Sequence, residues 1–285
     1  MHDYLLETRL KEEDPDLHTR VKNSSFVLQE MLDSFTTWFP DFTDHSILHS
    51  MDVLEYCNWL LGDQVLKLTI GECYVLIMSC YLHDVGMGVS RDNFAAFTRK
   101  IGMEDYMRRH PDVPEAEIIR QFHQEFSGLF IRKYADLFDF PSEELLFATI
   151  QVSRGHRKTD LYDEKEYPVL KTPYGIIRTA FLSAVLRLAD EIDVAADRNP
   201  ELLFDTSKLT KQKDIDAFGV HESIRTVELT GENIILHTKP KEPRFVSLVE
   251  DLSEKIQETL DYCRDVASHS SPLCIPQRKV KIVYL

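Results

Sequence analysis

"GECYVLIMSCYLHDVGMG", residues 71–88, decides how the rest of the chain is read. From Cys73 to Leu82 it carries no charge, and it is apolar nearly all round. That pattern predicts a central helix from about Thr69 to Asp84. At ten residues the run is about half of the roughly 20 that a membrane span needs. It closes on His83-Asp84, two strongly hydrated side chains placed where a core helix ends. Gly86 and Gly88 behind them let the last turn loosen. The dipeptide alone is cheap: 11 His and 25 Asp in 285 residues give about one by chance. His2-Asp3 is a second copy with no such setting.

Around this stretch, residues 1–200 predict a succession of helices, with apolar residues recurring at three and four and no sustained period of two. "SFVLQEMLDSFTTWF" ends at Pro40, and "DFTDHS" is a capped start to a helix carrying Ile47, Leu48, Met51, Val53, Leu54 and Trp59, closed by Gly62. Residues 115–137 form a long amphipathic helix. Pro141 and Ser142 start another, with Glu143 and Glu144 suiting its dipole, and 176–197 make one more. After Asn199-Pro200 the texture changes. "SIRTVEL" and "IILHT" around "TGEN" predict a β-hairpin, an amphipathic helix runs from Leu248 to Cys263, and "VKIVYL" is a closing strand. The expectation is a mainly α chain: a helical domain over 1–200 and a small α+β annex over 201–285 packed on it. A strand flush with the last residue also raises the expectation of a longer polypeptide.

The bulk numbers are ordinary for a globular chain, with 43% hydrophobic and 28% charged residues. A formal charge of −15 argues against a surface that coats nucleic acid. The acidic N-terminus has no leader pattern, and the odd set of Cys57, Cys73, Cys80, Cys263 and Cys274 lacks CxxC spacing. Reduced thiols in the cytoplasm are expected, with Cys73 and Cys80 as core filler.

Three pieces could carry chemistry. In "DHSILHSMDV", His45 and His49 share a helical face; His45 lies in the fraying first turn, and His49 is the better ligand. His83-Asp84 is the second. In "FLSAVLRLADEID", Asp190 lies on the stripe of Ala180, Ser183 and Leu186, where it pairs with Arg187 or holds a cation, while Asp193 and Asp197 point to solvent. His123 shares a face with Ser127, and His156 sits in a basic knot with Arg154, Arg157 and Lys158.

The order His, His-Asp, distant Asp on helices resembles the HD superfamily of metal-dependent phosphohydrolases. The resemblance covers roughly residues 20–200, and maps to His49, His83-Asp84 and Asp190. It implies an HD-type helical bundle with these four as metal ligands, and His123 and His156 as ligands of a second metal or as groups serving the substrate phosphate. The start of the motif and the α+β tail look most like HD modules that precede a GHKL-type ATPase module in bacterial proteins, so a fused or partner ATPase module is implied.

Two imidazoles with two carboxylates suit Mn, Fe, Co, Ni or Zn better than Ca or Mg. One or two such ions would activate water against a phosphate ester, in family terms most often of a nucleotide, with Asp84, His123 and His156 as catalytic groups and Arg154, Arg157, Lys158 and Arg187 countering charge. A single-strand nuclease and a non-catalytic sensor module are the competing expectations. A homo-oligomer is compatible with either.

Overall fold

The computed structural model describes residues 4–32, 47–196 and 212–285. Its helices are α1 (Leu5–Glu13), α2 (Pro15–Leu32), α3 (Ile47–Leu61), α4 (Ile70–Leu82), α5 (Arg91–Lys100), α6 (Glu104–Arg109), α7 (Glu115–Lys133), α8 (Glu143–Arg154), α9 (Thr179–Ile192), α10 (Gln212–Ser223) and α11 (Pro243–Ser270). A hairpin of β1 (Val169–Thr172) and β2 (Gly175–Arg178) precedes α9. A three-stranded sheet of β3 (Ile224–Thr230), β4 (Asn233–Thr238) and β5 (Lys279–Tyr284) accompanies the last helices. The chain is mainly α with a small α+β part near its end, as the sequence predicts.

The apolar run is the axis of this arrangement. Every residue of α4 from Gly71 to Leu82 is buried, and the helix packs against α1, α2, α3, α8 and α9. Thr69 starts it with a reciprocal cap: its hydroxyl accepts from the Glu72 N–H, and the Glu72 carboxylate accepts from the Thr69 N–H. No single helix among the described residues is long and apolar enough to cross a membrane.

Helix α9 is the second organiser, packing against α3, α4, α8 and α11. The sequence places its helix over 176–197, and the structure corrects both ends. Residues 175–178 are a strand, paired antiparallel from Val169↔Arg178 to Thr172↔Gly175. Four-residue strands are too short to show alternation, and Gly175, at φ 105°, is the turn signal that marks them. At the other end the helix stops at Ile192.

In the last part, β3 and β4 form the expected hairpin about Gly231, with Val227 opposite Leu236. Strand β5 runs parallel to β4, Val280 beside Ile234, which requires the long crossover that α11 supplies. Helix α10 has no counterpart in the sequence expectations. The predicted boundary near residue 200, like Pro40, His45 and Asp197, lies outside the described residues. Buried side chains of α11, β3 and β4 join the same hydrophobic cluster as those of α4 and α9.

A buried ion pair fastens the hairpin to the central helix. Arg178 donates Nε to Glu72 Oε1 at 2.7 Å and Nη2 to Oε2 at 2.6 Å, with Glu72 fully buried. Arg178→Ala strands a carboxylate in the core, so a loss of about 3–5 kcal/mol is expected in urea denaturation.

Candidate metal centre

Four imidazoles and three carboxylates meet where α3, α4, α7, α8 and α9 converge. His49 comes from the first turn of α3, and His83 closes α4 with Asp84 next to it. His123 lies in α7, directly after a break at Phe122, whose φ of −124° and ψ of 17° leave the helical region. His156 follows the end of α8, and Asp190 sits in the last turn of α9.

The ring nitrogens sort themselves. His83 Nδ1 donates to the Cys80 carbonyl at 2.9 Å, His123 Nδ1 to Arg120 at 2.8 Å, and His156 Nδ1 to Ser153 at 2.5 Å. Each acceptor is three residues back, where a helix ends or breaks and its carbonyls have room for a further donor. His49 Nδ1 donates instead to the Asp193 carboxylate at 2.6 Å. With every Nδ1 carrying its proton, each Nε2 keeps a lone pair, and all four Nε2 atoms turn to one place.

They form two groups joined by one carboxylate. His49 Nε2 is 3.2 Å from His83 Nε2, and Asp190 Oδ1 is 3.4 and 3.8 Å from them. Asp84 Oδ2 lies 3.7 and 3.6 Å from the same two nitrogens. Its other oxygen, Oδ1, faces the second group at 3.2 Å from His123 Nε2 and 3.5 Å from His156 Nε2, which are themselves 2.8 Å apart. Neutral imidazoles that aim lone pairs at each other over such distances repel unless a cation lies between them. Both groups, His49–His83–Asp190 and Asp84–His123–His156, have their ligand atoms close enough to hold a metal ion. The donor set therefore fits one ion in each, with Asp84 shared.

The electrostatics support ligation. Burial pushes the His83 imidazole below its usual value. Burial, with repulsion from His83 and His123, pushes His156 lower still, so both stay neutral donors. Burial raises the Asp190 carboxyl, but the His49 hydrogen bond and the surrounding imidazoles outweigh it and hold the group well below the carboxylate range.

Ser127 fixes the bridging turn. Its hydroxyl donates to the His83 carbonyl at 2.5 Å and accepts from the Gly86 N–H at 2.9 Å, spanning Asp84. A Cβ on Gly86 would stand 2.2 Å from the His123 carbonyl oxygen and 2.4 Å from the Ser127 nitrogen. Only glycine lets this turn lie against α7.

The predicted residues are placed as follows. His49, His83, Asp84, Asp190, His123 and His156 come together. Asp193, expected toward solvent, is corrected: it is 3% exposed and bonds to His49. Its position three residues after Asp190 was the available signal, since that spacing shares a helical face, although the helix ends between them. Arg187, weighed as a partner for Asp190 and expected to counter substrate charge, is engaged elsewhere. Arg187 donates to the carbonyls of Gly155, Arg157 and Thr159 and lies over the Tyr262 ring. Arg154 makes a two-pronged pair with Glu125, at 3.0 Å for both bonds. Arg157 and Lys158 are exposed in the loop that follows His156. The cysteines are free, and burial pushes the Cys73 thiol up to about 12, as suits core filler.

A buried cluster of histidines and aspartates on converging helices, with His49, His83-Asp84 and Asp190 in chain order, defines an HD-type domain with a group of residues that could hold metal. The chain belongs to the HD-CE family, whose model matches residues 39–269 and so extends beyond the helical part through most of α11. Comparison with curated proteins finds no match.

Two outcomes test this geometry. Gly86→Ala should destabilise the chain by about 1–3 kcal/mol through overpacking, read as a lower thermal midpoint. In chelator-treated protein, His83 and His156 bind protons more weakly than in the unfolded chain, so unfolding takes up protons. Stability should therefore fall as pH drops below about 6.5, with a further loss below about 4 as Asp190 favours its ionised form. Thermal scans across pH 3–8 check both slopes.

Proposed function

We propose that the chain is a metal-dependent phosphohydrolase acting on a phosphate ester, with a nucleotide the first class of substrate to test. The observation that carries this is the bridging of two His pairs by Asp84, each of its oxygens facing one pair. Divalent transition ions held there would supply Lewis acidity toward a phosphoryl oxygen and toward water. Mn, Fe, Co, Ni and Zn are the ions that suit this mixed nitrogen and oxygen donor set.

The chain's own groups do the rest. His49, His83 and Asp190 would hold one ion and His123 and His156 another, with one Asp84 oxygen available to each group. Two-metal phosphatases and nucleases use such paired positions to stabilise the attacking and leaving oxygens together. His156 is kept neutral by burial, which suits a ligand better than a proton donor. Arg157 and Lys158, exposed in the loop after His156, are the cations this reading assigns to substrate phosphate. Arg154 is engaged by Glu125, and Arg187 holds the loop that presents those two. Activity with Arg157 and Lys158 reduced to alanine should show a raised KM for phosphate esters.

The direct test supplies Mn, Ni or Co to purified protein with a panel of nucleotides and generic phosphate esters, following released phosphate. Metal-stimulated turnover is expected, and Asp84→Ala should lower it by more than about 100-fold, because both ligand groups lose a donor at once. Nucleotide binding without product would replace hydrolysis with a sensor role. Cleavage confined to DNA or RNA single strands would make the chain a nuclease.

A further inference from the structure

The two ligand groups differ in charge and in the partners behind them. The first has carboxylate oxygens from Asp190 and Asp84; the second has one, from Asp84. Behind the second group, His123 and His156 rest on neutral backbone carbonyls. Behind the first, His83 does the same, but His49 rests on the carboxylate of Asp193, 3% exposed and 2.6 Å away.

From this asymmetry we infer that the chain loads metal in a fixed order, the His49–His83–Asp190 position first and the His123–His156 position second, and that Asp193 is the positioning residue that sets the gap. This rests on the metal-holding part of the proposed function and not on turnover.

The physical reason is direct. An imidazole that donates to a carboxylate has a more electron-rich Nε2 than one that donates to a carbonyl, and its orientation is fixed by a charge-assisted bond. Asp193 meets His49 at Nδ1, while Nε2 is the ring atom that faces the ligand cluster, so it acts through the imidazole. Negative charge in a buried site also draws a dication more strongly than the same charge in water. All three effects favour the first position. The second depends on an Asp84 oxygen whose turn is held by Ser127, and its other donors carry no charge. An order of loading also means that the second position is the exchangeable one, so the concentration of free metal would set how many chains hold both ions.

The test uses Co2+ alone, added to chelator-stripped full-length protein and followed by calorimetry and by its visible absorption, which reports the ligand field. Two ions per chain in two separable steps are expected. Asp193→Asn keeps the shape of the side chain and removes its charge; the first step should weaken by about 10- to 100-fold while the second is unchanged. His123→Gln should remove the second step and spare the first, and His83→Gln should remove the first. Those two variants decide the order even if Asp193→Asn fails to fold. Equal steps, a single ion at saturation, a shift of both steps or neither in Asp193→Asn, or loss of the first step in His123→Gln overturns the inference. Ordered loading without phosphate ester hydrolysis sinks the hydrolase and leaves the order standing. Turnover from two equivalent sites does the reverse.

Discussion

The structure turns on the sharing of one carboxylate between two pairs of imidazoles. Asp84 can serve both only because the chain leaves the helix at His83, turns at once, and is pressed against α7 at a glycine. That turn is held by Ser127 on the far helix and by the last turn of α4 on the near one. The buried α4 and the break in α7 can be understood as the scaffold that brings four imidazoles to within 4 Å of this side chain, and the docking of α9 sets Asp190 against two of them. Buried polar groups on that scale have to be satisfied together, since a partly satisfied network in a low-dielectric interior costs more than an apolar core.

Much of this was legible in the residues themselves. The charge-free run from Cys73 to Leu82 announces a core helix, because no surface helix could expose every face of it to water. Asp190 among small and apolar neighbours announces a carboxylate with a task. What the residues do not show is where a side chain goes once its helix has ended. Asp193 follows the last turn of α9, and there the 100° step between residues no longer predicts direction, so a buried carboxylate looked like a surface one. The same limit applies to Arg187. Its spacing from Asp190 offers a local partner, but the loop after α8 presents it with three carbonyls that a guanidinium fork matches better. The β1–β2 hairpin was hidden for a simpler reason, since four residues are too few to display a period.

Tight placement and loose placement alternate around the centre. Arg154 is locked to Glu125, and Arg187 ties down the carbonyls at 155, 157 and 159, so the backbone beyond His156 is fixed while the side chains of Arg157 and Lys158 stay exposed. A rigid loop carrying solvated cations suits a charged ligand that must arrive and leave. In a chain of formal charge −15, two adjacent exposed cations lessen the repulsion an anion meets there.

The three histidines that lean on carbonyls all do so at the C-terminal end of a helical segment: α4, the first part of α7, and α8. Asp190 stands at the C-terminal end of α9. A helix carries roughly half a negative charge at that end from its aligned peptide dipoles. Four such ends meet at one small volume, so the backbone adds negative potential there alongside the side chains. His49 enters from the opposite, positive pole of α3, and of the four it is the imidazole supported by a true anion. Asp193 offsets that positive pole with a full charge, and with the Asp190 carboxylate beside it the His49–His83 side of the cluster remains the more negative one.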